Sequence, residues 1–237
     1  MCTAVNIGAM ESSGQAKRGY HHGDLRNALI KAAGQLAEQG GPKAVTVRAA
    51  AKAAGVTPTA AYRHFENHEQ LLQAAKDYAL DGLAATMQER IDALRPTTDP
   101  VRQAMGTLCA IGRGYIRFAT SEPGLFRTAF EQGGSMVDGN ALSKVDEAFQ
   151  LLVRGLDNLV EVGHLNPEER PLAELTPWCS VHGFSMLLID GPMRDLPEEM
   201  RETAIERMMT ILMKGLTSKN VDDQLVADVL ADTRMNP

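Results

Sequence analysis

Between Thr46 and His68 the chain gathers side chains that hydrogen-bond or carry charge at helical spacing. Thr46 and Arg48 come first, then Thr57 and Thr59 with the small Ala60, then Tyr62, Arg63 and His64, and finally His68. Guanidinium and hydroxyl groups bind phosphate oxygens, and short side chains at the start of a helix let it approach base edges closely. This is the chemistry of binding a nucleic acid. Nothing beside it makes or breaks bonds. The sequence has no Gly-x-Ser-x-Gly elbow, no phosphate loop and no HExxH. Gly112-Arg113-Gly114 lies in a helical pattern without the strand and further glycine of a dinucleotide site. Catalysis is therefore not expected.

Such side chains need short rigid helices to present them. Leu25, Leu29, Ala33, Leu36 and Ala37 recur at helical intervals after Asp24, a good N-cap, and Gly40-Gly41-Pro42 stops that run. Thr46 caps a helix over 47–54, in which Ala50, Ala51, Ala53 and Ala54 allow close packing. Gly55 takes the left-handed turn. Thr57 caps a second helix over 58–64, with Pro58 at its first position, where a missing N–H costs nothing. Val56 and Phe65 fill the small core beneath. Two helices joined by a glycine turn make a helix-turn-helix, whose second helix enters the major groove of DNA.

Asn67, with Gln70 three residues on, opens a long helix through Leu71, Ala75, Leu83 and Met87 to Leu94. At 1.5 Å per residue it is a rod of roughly 40 Å. Further helices are predicted over 100–121, 123–132, 140–162, one ending near Asp190, then 197–217 and 221–232. Pro177 either delays the start of the helix that ends near Asp190 or kinks it. No stretch alternates with a two-residue period, so the fold class is all-α.

The 237 residues are 44% hydrophobic, enough for one large domain or two modest ones with a real core. A net charge of −6 hides an asymmetry: residues 17–80 sum to +4 and residues 81–237 to −9. A basic head on an acidic body suits a polyanion at one end only. Cys2, Cys109 and Cys179 are too widely spaced for a disulfide framework or a zinc site, and the latter two are expected to be buried small apolar groups. His21-His22 has no second ligand pair, so no metal and no other cofactor is expected. No apolar run approaches the roughly 20 residues of a membrane helix, and no secretory signal opens the chain. A cytoplasmic protein without membrane contact is the expectation.

The run Tyr20-His21-His22-Gly23-Asp24-Leu25-Arg26, Thr46-Val47-Arg48-Ala49-Ala50-Ala51, Ala54-Gly55-Val56-Thr57 and Tyr62-Arg63-His64-Phe65 with Leu71-Leu72 resembles the tetracycline-repressor (TetR) family. Downstream, Trp178-Cys179-Ser180-Val181-His182-Gly183 resembles the Trp…His-Gly element of one TetR-like C-terminal domain class. The resemblance implies a homodimer with two reading heads and a ligand-binding body. It puts Thr46, Arg48, Tyr62 and His64 at phosphates, Thr57, Thr59 and Ala60 at base edges, and Arg63 at either. The family often has Lys where this chain has His68. A mostly neutral His there weakens one phosphate anchor or makes DNA affinity depend on pH.

The domain plan that follows is a flexible arm at 1–19, in which Lys17 and Arg18 add phosphate contacts, a helix-turn-helix domain at 20–66 and a connecting helix at 67–94. A ligand-binding and dimerisation domain follows at 95–218, with a tail or short helix at 219–237. In the body, Met105, Leu108, Gly112, Tyr115 and Phe118 share overlapping faces of one helix. Phe126 and Phe130 lie four apart on the next, as do Trp178 and His182 further on. They suit a ligand pocket or, equally, ordinary core. His182 then bonds to backbone and Gly183 permits a close helix crossing. Val181, Phe184, Ser185, Leu187, Leu188 and Ile189, with Ile205, Met208, Met209, Leu212, Met213 and Leu216, suit either a four-helix dimer interface or burial within one subunit.

The function this implies is a repressor bound to a palindromic double-stranded DNA operator and released by a small apolar or amphipathic effector. The alternative is a ligand-independent DNA-binding protein whose body serves dimerisation or a protein partner.

Overall fold

The computed structural model describes residues 22–131, with side chains from 25, then 147–217 and 219–234. The expected arm with Lys17 and Arg18, the resemblance at Tyr20 and His21, Cys2, and the expected helix start at residue 140 lie outside them. Among the described residues there is no strand.

Three helices make the head: α1 (His22–Gly40), α2 (Val47–Ala53) and α3 (Pro58–Tyr62), with a 3-10 turn at Pro42–Ala44. Their core is Leu29, Ala33, Val45, Val47, Ala50, Ala51, Ala61 and Phe65, all buried. Ala53 is exposed, so Ala50 and Ala51, with the half-buried Ala54, make the close contact expected of four alanines. Helix α1 starts two residues before Asp24, which therefore stands in its first turn and not at the cap. Gly55 has φ +69°, and the Val56 N–H reaches back to the Ala51 carbonyl at 2.9 Å, the left-handed stop that a glycine makes without Cβ strain.

Helix α4 (His68–Asp92) follows, three residues shorter than expected at 25. The Asn67 side chain accepts from the Gln70 N–H at 2.9 Å, and Gln70 Oε1 accepts in return from the Glu66 N–H at 3.0 Å. The reciprocal bond of this cap thus falls one residue earlier than in the usual box.

The body is α5 (Pro100–Ser121), α6 (Pro123–Ala129), α7 (Glu147–Glu161), α8 (Leu175–Ile189), α9 (Glu198–Leu216) and α10 (Asp223–Thr233). A second 3-10 turn, Pro167–Glu169, precedes α8. Helix α5 is its axis, packed by α4, α7, α8 and α10. Pro177 is the third residue of α8, inside the first turn, where its missing N–H has no intrahelical partner to lose. Helix α10 lies on α5, where Val226 and Val229 are buried and Arg102 bonds Asp232 at 2.6 Å and Asp228 at 3.3 Å.

Helix α6 is wedged between head and body. A Cβ at Gly124 would strike the Ala37 and Glu38 carbonyls at the end of α1, so only glycine admits this approach. The buried Lys76 of α4 donates to the Glu131 carbonyl at 2.7 Å. Arg127 forks onto Asp190 at the end of α8, at 2.6 to 3.1 Å.

Two expectations are corrected, and one open alternative divides between its residues. Cys179 is exposed, because it lies on the outward stripe of α8, while Cys109 is buried and desolvation pushes its thiol up to about 12. Gly183 admits no crossing helix, since a Cβ there would meet nothing within 4 Å. Val181, Leu188, Ile189, Ile205, Met209 and Met213 are buried within the subunit. The outward apolar residues of α8 and α9 are Leu175, Met186, Leu187, Met200 and Ile211.

Candidate functional site

Thr46 and Thr57 are both working N-caps. Their Oγ1 atoms accept from the Ala49 N–H at 3.1 Å and the Ala60 N–H at 3.2 Å. Each hydroxyl keeps its own hydrogen to donate, so capping and a phosphate contact are compatible. Arg48, Thr59, Tyr62, Arg63 and His68 are exposed, and Ala60 and His64 are half-buried. Tyr62 keeps 44% of its surface, unusual for a phenol with a core beside it. That core need is met by Phe65, at 2% exposure, with the Arg26 guanidinium 5.2 Å above its ring. The structure therefore gathers the predicted contact residues from Thr46 to His68 on one small head, around α2, α3 and the first turn of α4.

A cavity of about 270 Å³ lies in the body. Of the expected residues, Met105, Leu108, Gly112, Tyr115, Phe130 and Trp178 line it. Phe118 does not: it is buried with its ring toward Gly82 of α4. Phe126 and His182 border instead a separate groove between α6, α8 and the Gly40–Lys43 turn of the head. His182 bonds a side chain and not backbone, with its Nδ1 2.8 Å from Tyr115 Oη. Burial holds its pKa below the ordinary imidazole value. Tyr115, Phe126, Phe130 and His182 stack on one another, the closest pair of centroids being Phe130 and His182 at 4.8 Å. This aromatic wall stands between cavity and groove.

Sequence reading missed the wall residues that α4 supplies, Leu80, Leu83 and Met87. Their three- and four-residue spacing was the available signal, hidden because the same spacing also marks ordinary core. It likewise missed Phe149, whose ring meets Trp178 edge-on at 5.4 Å. Met209, Leu212, Met213 and Leu216 of α9 also line the cavity, Met209 and Met213 buried and Leu212 and Leu216 half-buried. Among the described residues no group of three or more His, Cys, Asp and Glu is placed to hold a metal ion.

Helix α4 ties the two regions together. Leu71 and Ala75 are buried near its start, where it packs on α1, and Leu80, Leu83 and Met87 reach the cavity two to four turns later. A helix-turn-helix head joined by one continuous helix to a helical body with an apolar cavity defines a DNA-binding regulator that carries its own sensor. Residues 29–75 match the family model of bacterial regulatory proteins of the tetR family, and residues 108–212 match that of a tetracyclin repressor-like C-terminal domain. The chain belongs to the TetR family of transcriptional regulators, which are not enzymes. No curated protein matches it.

Solved structures share the fold. A protein of unknown function from Rhodococcus sp. RHA1 has TM-score 0.67 and 21% identity, over 85% of this chain and 100% of that one. A TetR family transcription regulator from Marinobacter aquaeolei VT8 has TM-score 0.57 and 23% identity, over 82% and 96%. A TetR variant from Acinetobacter baumannii AYE in complex with minocycline has TM-score 0.55 and 18% identity, over 82% and 94%. At these identities the likeness is one of fold. No described helix is long and apolar enough to cross a membrane.

Proposed function

We propose that this regulator is a homodimeric repressor, bound to a palindromic operator and released when a small apolar molecule occupies the body cavity. One observation carries the reading: α4 packs on the head at its start and lines the cavity further along. A ligand that favours a different tilt of α4 alters the spacing of the two heads, and half-sites one helical turn apart tolerate little misplacement. A preference of about 1–3 kcal/mol for the non-binding state shifts DNA affinity some 5–150-fold.

Thr57, Thr59 and Ala60 are assigned to base edges, Thr46, Arg48, Tyr62, His64 and His68 to phosphates, and Arg63 to either. The domain plan assigned is the head to residue 66, the connecting helix to 94 and the body to 218. The exposed Met186 and Leu187 of α8 with Met200 and Ile211 of α9 supply the dimer surface, which is apolar and free within the chain.

The test is selection of genomic fragments by the purified protein, with sequencing, across a salt series. A recovered palindrome whose affinity falls steeply with salt is the expected result. Absence of any enriched sequence sinks the operator reading. Enrichment that no cavity ligand reverses favours a ligand-independent DNA-binding protein.

A further inference from the structure

The cavity is closed by side chains of a particular kind. Among the described residues that line it, none carries a charge at neutral pH. The polar side chains among its lining residues are few: Cys109, Tyr115, Trp178 and Thr217, with the Tyr115 hydroxyl bonded to His182 and the Thr217 hydroxyl donating to the Met213 carbonyl. Cys109 is held as the neutral thiol by burial, with its Sγ 3.7 Å from Met213 Sδ. The guanidinium buried on the same helix, Arg113, is not in the wall and pairs with Glu202 at 2.7 Å. His182 stands behind Tyr115, with its charged form disfavoured by desolvation.

An ion entering such a site loses its hydration and finds no countercharge among the described wall residues, which is the costliest kind of burial. A neutral molecule gains from every apolar contact. The wall also holds four methionines, Met87, Met105, Met209 and Met213. Thioethers are unbranched and polarisable and repack around different shapes.

We propose that the cavity admits uncharged apolar molecules and rejects ionised ones, so that its ligands are chosen by charge and volume more than by outline. The proposal rests on the effector reading above and narrows it, because it removes charged amphiphiles from the candidates.

Trp178 is the chain's single tryptophan and stands in the wall, so its fluorescence reports occupancy directly. The probes are decanol, decanoate and decylammonium, equal in chain length and different in charge. They are titrated into the full-length protein near neutral pH, with operator affinity followed in parallel. Decanol should perturb Trp178 emission, and both ions should bind at least about 100-fold more weakly. A Thr217→Lys variant places a cation in the wall at the half-buried end of α9. It should recover decanoate by about tenfold or more and leave decylammonium excluded.

An ion that perturbs Trp178 within a few-fold of decanol overturns charge selection, and if it also releases the operator the effector cavity stands. Decanol that binds without altering operator affinity upholds charge selection and overturns the effector reading. No response of Trp178 to any of the three overturns both.

Discussion

Arg63 and His182 are the two residues whose chemistry is most sharply placed. Arg63 is the C-cap residue of α3 and exposed, with a guanidinium and no core to serve. An Arg63→Ala protein should lose about 1–3 kcal/mol of operator binding per head, with its fold intact by circular dichroism. An unchanged affinity and salt slope would remove Arg63 from the interface. His182 was legible in the sequence as a residue on the Trp178 face, but its partner was not, because Tyr115 lies 67 positions away and no local pattern links them. Its pKa is depressed by burial, so the unfolded chain takes up the proton first. Stability from this group is complete above about pH 6.5 and declines as pH falls below that value toward the lower native one. Thermal melts of the wild type should show that decline, and a His182→Gln variant should flatten it.

Caps and stops made the elements readable from sequence. Thr46, Thr57, Asn67, Asp99 and Asp222 each accept from the first turn of the helix they precede, and each of those helices begins within two residues of its expected start. Boundaries without such a signal drifted. Asp24, read as the cap of the first helix, stands inside α1, and Pro177 permitted two readings of a helix that starts at Leu175. Gly124 was not singled out at all, because its role is a backbone approach between α6 and α1 that only tertiary structure reveals. The struck atoms are carbonyls, which cannot rotate away as a side chain can. Gly124→Ala should therefore cost about 1–3 kcal/mol of stability despite the better helix propensity of alanine. Urea unfolding measures it, and a neutral or stabilising result would show that the wedge has slack.

At the scale of the molecule, the all-α architecture and the basic head followed from periodicity and charge. The division of the body's apolar surface did not, since period alone does not say whether an apolar helix face meets core, cavity or partner. Helix α9 illustrates this: Met209 and Met213 turn to the cavity, whereas Ile211 between them is 60% exposed. Replacement of Ile211 by Glu should leave the cavity intact and shift the protein to monomers in sedimentation, with operator affinity falling as well. A stable dimer with Glu at 211 would move the interface elsewhere.

Helix α10 is fastened to the rest by charges as well as by apolar contact: Arg102 pairs with Asp228 and Asp232, Lys214 with Asp223, and Arg234 with Glu206. Val226 and Val229 are buried beneath it, and the half-buried Leu225 and Leu230 pack beside them. A helix so placed at the edge of the fold should detach at less cost than global unfolding. Its amides should exchange with deuterium ahead of those of α5 beneath it, and faster still in concentrated salt, which screens the fastenings but spares the core. Equal protection of α10 and α5 would mean that the two come apart only together.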